Sequence, residues 1–143
     1  MRISIVLAVI AGSFSVMNAQ AVPAHGEMEH GGMHMDEPMA RQHRMMAMYA
    51  QAQAGINESL QKRDAVSVET ETRKILATIP DLKKTKPHKN LKEQNEMVRI
   101  AAAFEKDLKT TVVRVHKKDF VGAKQAFAKA QQKCAACHAK FRD

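Results

Sequence analysis

The run Cys134-Ala135-Ala136-Cys137-His138 holds the most specific chemistry in the sequence. Two thiols three residues apart, with an imidazole one residue further on, share one face of a helix. That spacing lets both thiols reach the two vinyl groups on one porphyrin edge while the imidazole projects towards the iron. C-x-x-C-H is the attachment signature of a c-type haem. The motif therefore predicts one haem c, bound covalently through Cys134 and Cys137, with His138 as the proximal iron ligand. Three other chemistries fit less well. A redox C-x-x-C pair normally opens a helix after a strand, and no strand pattern precedes this one. A disulfide between i and i+3 of a helix is poorly placed. Half a zinc site would need a second Cys/His pair at finger spacing in an ordered segment, which is lacking.

Helices must position this motif, and the upstream sequence supplies them. From about Met39 to Lys62, Gln42, Met45/Met46, Tyr49, Ala52, Ile56 and Leu60 recur at steps of three and four, the apolar stripe of an amphipathic helix. Asp64 is placed to cap a second helix with Val68, Thr72, Ile75 and Ile79 inward, and Pro80 marks its expected end. The basic loop PDLKKTKPHKN follows. Asn90 is placed to cap a third helix carrying Met97, Ala101, Phe104, Leu108, Val112 and Val115. Asp119 is placed to cap a fourth, where Phe120, Phe127, Cys134 and Phe141 repeat every seven residues and Ala123, Ala130 and Cys137 fill the other core position. No segment alternates with period two. Four amphipathic helices with short connections predict an all-α, antiparallel four-helix bundle over residues 39–143 with C-terminal haem attachment.

The layout resembles the class II c-type cytochromes, that is, cytochrome c-prime and its low-spin relatives with a methionine ligand. CAACHAKFR, with Phe141 and Arg142, is similar to the family's C-x-x-C-H-x-x-aromatic-basic ending. Arg41-Gln42-His43-Arg44-Met45 is similar to the R-Q-x-x-(Leu/Phe/Met) start of its first helix. The resemblance covers about Met39 to Asp143. It implies Arg41 near a haem propionate and Met45 as the distal iron ligand; Met46, almost as well placed on the stripe, and Met48, four residues after Arg44, are the alternatives that the helix spacing offers. Methionine at this place implies a low-spin, one-electron carrier, because a thioether raises the potential relative to water or a second histidine. The very short first loop departs from the pattern of the high-spin members. It is closer to the b-type four-helix cytochrome.

The remaining sequence sets the context. Arg2, the apolar run from Ile3 and the small-residue site Ala19-Gln20-Ala21 predict a signal peptide over 1–21 and a periplasmic protein. The apolar run is too short to span ~30 Å of hydrocarbon, so no membrane span is expected after its removal. Residues 22–38 read as a flexible leader. Its His25, Met28, His30, Met33, His34 and Met35 form a soft-metal tract able to hold copper. His88 and His116 are expected in solvent, and Glu69, Glu71, Glu93, Glu96, Glu105 and Asp107 on solvated faces. The formal charge is +8. Export argues against nucleic acid, and a basic surface favours acidic redox protein partners. No nucleophile–base pair, buried carboxylate pair or phosphate loop suggests catalysis, so the chain is not expected to be an enzyme. Electron transfer is the leading expectation. Binding of nitric oxide or carbon monoxide at a five-coordinate iron, and copper handling by the leader, are the alternatives. The bundle is expected as a monomer or homodimer.

Overall fold

A computed structural model describes residues 37–142. The expected signal peptide and the leader up to residue 36 lie outside them. The described residues form α1 (Glu37–Lys62), α2 (Ala65–Leu82), a 3-10 turn (Leu91–Glu93), α3 (Gln94–His116) and α4 (Phe120–Phe141), with no strand among them. This is the expected all-α four-helix fold. Cross-helix pairs give its directions. Tyr49 meets Thr78 while Gly55 lies against Glu71; Lys83 pairs with Glu105 and Glu69 with His116; Arg114 pairs with Asp119 and Glu93 with Lys140. In each set one residue number rises as the other falls, so consecutive helices run in opposite directions.

The predicted stripes form the core. Ile56, Leu60, Val68, Ile75, Ile79, Leu108, Val115 and Phe127 are almost wholly buried, each worth about 1.5–3 kcal/mol of transfer energy. On α3 the buried position after Leu108 is Thr111 rather than Val112. Its hydroxyl donates to the Asp107 carbonyl at 2.9 Å, which satisfies it without a partner across the core. Alanines 123, 126 and 130 line the inner face of α4, so α3 and α4 pack closely, whereas α1 and α4 barely touch. That opening matters for the site.

Two boundaries differ from expectation. α1 includes Glu37 and Pro38, which the sequence assigns to the end of the leader. α2 continues past Pro80 to Leu82, carried by the burial of Ile79 and Leu82 on the side opposite the exposed proline. Asn90 does not cap α3. It sits at φ 55° with no capping hydrogen bond, and its side-chain amide donates instead to the Lys140 carbonyl at 2.7 Å.

Both tight connections are built alike. Lys62-Arg63-Asp64-Ala65-Val66-Ser67 and Lys117-Lys118-Asp119-Phe120-Val121-Gly122 share one pattern. Arg63 (φ 55°) and Lys118 (φ 59°) are left-handed. The Asp64 and Asp119 amides reach back to the Ser59 and Arg114 carbonyls at 2.9 and 3.0 Å, and each carboxylate accepts from the amide three residues on, Ser67 at 3.1 Å and Gly122 at 2.8 Å. A side chain in the left-handed region is strained where glycine is not. Lys118→Gly should therefore stabilise the bundle by roughly 0.5–1 kcal/mol, or about 3–6 °C in Tm, measured by thermal denaturation. A lower Tm would mean that the entropy given to the unfolded chain outweighs the relief.

Candidate functional site

The opening between α1 and α4 holds a cavity of about 410 Å³, within the ~300–1,000 Å³ range of cofactor pockets. Cys134, Cys137 and His138 line it from the last turns of α4. Its floor is apolar, with Leu82, Met97, Ile100, Phe104 and Phe141, and its edge is polar, with Gln42, His43, His88, Lys133 and Arg142. A group with a flat apolar body and acidic substituents at one edge matches this division.

The helix places the two thiols together. Cys134 is half-buried and packs against the core cluster that includes Phe127 and Ala130; Cys137, one turn on, is also half-buried. Burial pushes the Cys134 thiol up to about 11, with the Cys137 charge adding to the effect. Burial raises Cys137 as well. Both thiols thus stay protonated at neutral pH, the reverse of a disulfide-exchange pair, whose attacking thiol is acidified. His138 lies more exposed at the cavity lip. Partial burial first, and the Arg142 guanidinium second, lower its pKa, which favours the neutral imidazole that binds metals.

α1 presents a distinct face to the cavity. Gln42, His43, Met46, Tyr49, Ala50 and Gln53 line it, one helical stripe at steps of one and three. Met45 lies one position off this stripe. It is 9% exposed and belongs to the core cluster with Ala52 and Ile56. Met48 packs against that cluster. Met46, one of the two expected alternatives, is thus the methionine of the three that lines the cavity, and Met45, Met48 and Arg41 are not among the lining residues; Arg41 is exposed. Tyr49 belongs to both faces. Its hydroxyl meets Thr78 Oγ1 at 3.0 Å, and Thr78 also donates to the Ile75 carbonyl at 3.0 Å. Since Thr78 has one proton, both contacts are satisfied when Tyr49 donates to Thr78. Burial pushes the phenol up to about 12, so it stays a donor.

His88 is not simply in solvent as expected. It is half-buried, lines the cavity and stacks on His43, with ring centroids 5.7 Å apart and planes 13° from parallel. The loop carrying it is fixed to α4, because the His88 and Lys89 amides both donate to the Phe141 carbonyl, at 3.1 and 3.2 Å. Sequence reading missed His43, Tyr49, Lys133 and Arg142 as lining residues. A signal was present for the first two: α1 carries a second stripe, 42/43-46-49/50-53, beside its core stripe. His116 is exposed as expected and pairs with Glu69 at 2.8 Å. The acidic side chains expected on solvated faces are largely tied in ion pairs: Glu71 with Lys74, Glu96 with Arg99, and Glu105 with Lys83 and Lys109.

Among the described residues no three His, Cys, Asp or Glu side chains gather closely enough to hold a bare metal ion, and no helix is long and apolar enough to cross a membrane. Fold and site together define an all-α four-helix bundle whose last helix presents two protonated thiols and an imidazole to an amphipathic cavity. Compared with family models, curated proteins and solved structures, the chain matches none.

Proposed function

We propose that this chain is a periplasmic c-type cytochrome, a one-electron carrier with a single haem c joined to Cys134 and Cys137. The observation that carries the reading is the convergence of both thiols and His138 on one cavity whose walls are apolar and whose edge is cationic. The residues present fit the group. Each thiol carries the S–H whose net addition across a vinyl group would form a thioether, His138 offers a neutral imidazole, and Lys133 and Arg142 offer counter-charges for propionates at the cavity edge. The haem would supply a ferric–ferrous couple. The protein's part is to hold it, exclude water with Leu82, Phe104 and Phe141, and provide a second ligand from the cavity face of α1, where Met46 stands.

This reading is tested by maturing the protein in an exporting host with haem-attachment machinery. Intact mass should rise by one haem, and the added mass should survive acid–acetone extraction. Sharp bands in the ferrous spectrum should report six-coordinate, low-spin iron. Extraction of the haem would sink covalent attachment. A broad, blue-shifted ferrous band with ready carbon monoxide binding would favour gas binding over electron transfer.

A further inference from the structure

The charges of this bundle are unevenly settled. Along the helices most acids are paired: Glu58 with Lys62, Glu69 with Arg73, Glu96 with Arg99, and Glu105 with two lysines. The loop between α2 and α3 is different. Residues 83–92 contain five lysines and no acid. Lys83 is paired with Glu105, but Lys84, Lys86, Lys89 and Lys92 are exposed and have no ion pair among the described residues. They flank Thr85, Pro87 and His88, which line the cavity. Leu91 lies among them, 66% exposed.

The loop is also held in place. Two amides donate to the Phe141 carbonyl, the Asn90 side chain holds the Lys140 carbonyl, and His88 stacks on His43 of α1. Like charges on a fixed backbone repel, and none of the four is held in an ion pair among the described residues; the exposed Asp81 carboxylate at the start of the loop offsets one charge at most. A counter-charge arriving from outside would gain that unspent attraction, and an exposed leucine ringed by lysines has the apolar-centre, charged-rim character of a transient contact.

We propose that the loop 83–92 is the docking face for an acidic protein partner, which it holds against the cavity mouth. The partner's carboxylates meet Lys84, Lys86, Lys89 and Lys92, and Leu91 meets an apolar spot among them. This rests on the electron-carrier reading, since placing a partner at the mouth is useful only if something is exchanged there. For that reason a protein is favoured over an anionic membrane.

The test uses the holoprotein and Lys84→Glu/Lys86→Glu/Lys89→Glu. Lys133 and Arg142 are left alone because they line the cavity. A control, Lys106→Glu/Lys117→Glu/Lys124→Glu, makes the same change of net charge away from the loop. Stopped-flow oxidation of the ferrous protein by anionic hexacyanoferrate(III) should slow about tenfold or more in the loop variant at low salt, and by less than about threefold in the control. The difference should collapse at high ionic strength. Oxidation by cationic tris(phenanthroline)cobalt(III) should speed up in the loop variant. Equal effects from both variants would show that net charge acts and the loop does not, overturning the proposal. Retention on immobilised polyglutamate, which needs no iron, should weaken in the loop variant with or without haem. Retention that fails while haem loads normally overturns the docking face alone; absent haem with normal retention overturns the carrier reading alone. Sedimentation of the holoprotein with phosphatidylserine vesicles, abolished in the loop variant, alongside no binding to polyglutamate would assign the loop to a membrane surface instead.

Discussion

Cys134→Ala/Cys137→Ala should lose covalent haem completely: the intact mass falls to that of the polypeptide, and acid–acetone removes any residual pigment. Each single variant should keep one thioether and resist extraction. The expected effect is large because the tether works through concentration. A bond to the same helix that carries His138 holds the group beside the imidazole at an effective concentration of order millimolar or more. Without it, occupancy depends on free haem, and the stabilisation contributed by the bound group falls with the logarithm of its concentration. The holo double variant should therefore melt well below wild type. The polypeptide itself changes little, since Cys134 is only partly buried and trading a thiol for a methyl group there removes one heavy atom. Apo wild type and apo double variant should thus melt within a few degrees of each other. A similar loss in the apo forms would mean that the sulfur atoms matter as core and not as attachment points.

The fold was legible because the sequence is regular where packing needs it to be. Val68, Thr72, Ile75 and Ile79 fall at helical spacing and all four are buried; Asp64 and Asp119 stand at helix starts and accept the expected amides. Pro80 and Asn90 misled for physical reasons. The burial of Leu82 outweighs the helix-breaking tendency of a proline in the final turn, and Asn90 spends its side chain on α4, a contact 50 residues away in sequence that no local pattern reveals. The site was half legible. Cys134, Cys137 and His138 form a contiguous motif, so the helix alone brings them together. The opposite wall depends on how α1 is rotated. One residue is about 100° of rotation on a helix, enough to turn Met45 into the core and Met46 to the cavity. The family pattern at Arg41–Met45 fixes a sequence position, while the packing of Tyr49, Ala52 and Ile56 fixes the rotation. His88 reads as a solvent residue in a lysine loop, and only the tie of that loop to Phe141 brings it to the cavity.

That rotation makes Met45→Ala and Met46→Ala opposite experiments. Met45 is buried with Ala52 and Ile56, so its truncation leaves a void and should cost about 2–5 kcal/mol of stability. It should leave the ferric spectrum intact, including the weak long-wavelength band of thioether-to-iron ligation. Met46 is only partly buried and lines the cavity. Met46→Ala should cost less stability in the apo protein but abolish that band, lower the reduction potential by removing the thioether, and open the iron to carbon monoxide in the ferrous form. Imidazole capture needs control. His43, three residues earlier on the same face, and His88, stacked on it, line the same cavity. His43, on the helix that carries Met46, is the first to reach the iron when the methionine is gone. Capture would give a low-spin spectrum without the thioether band, and adding His43→Ala should then convert the iron to high spin. Persistence of the band in Met46→Ala, with its loss in Met45→Ala, would show that α1 turns when haem is attached and that the family position supplies the ligand after all.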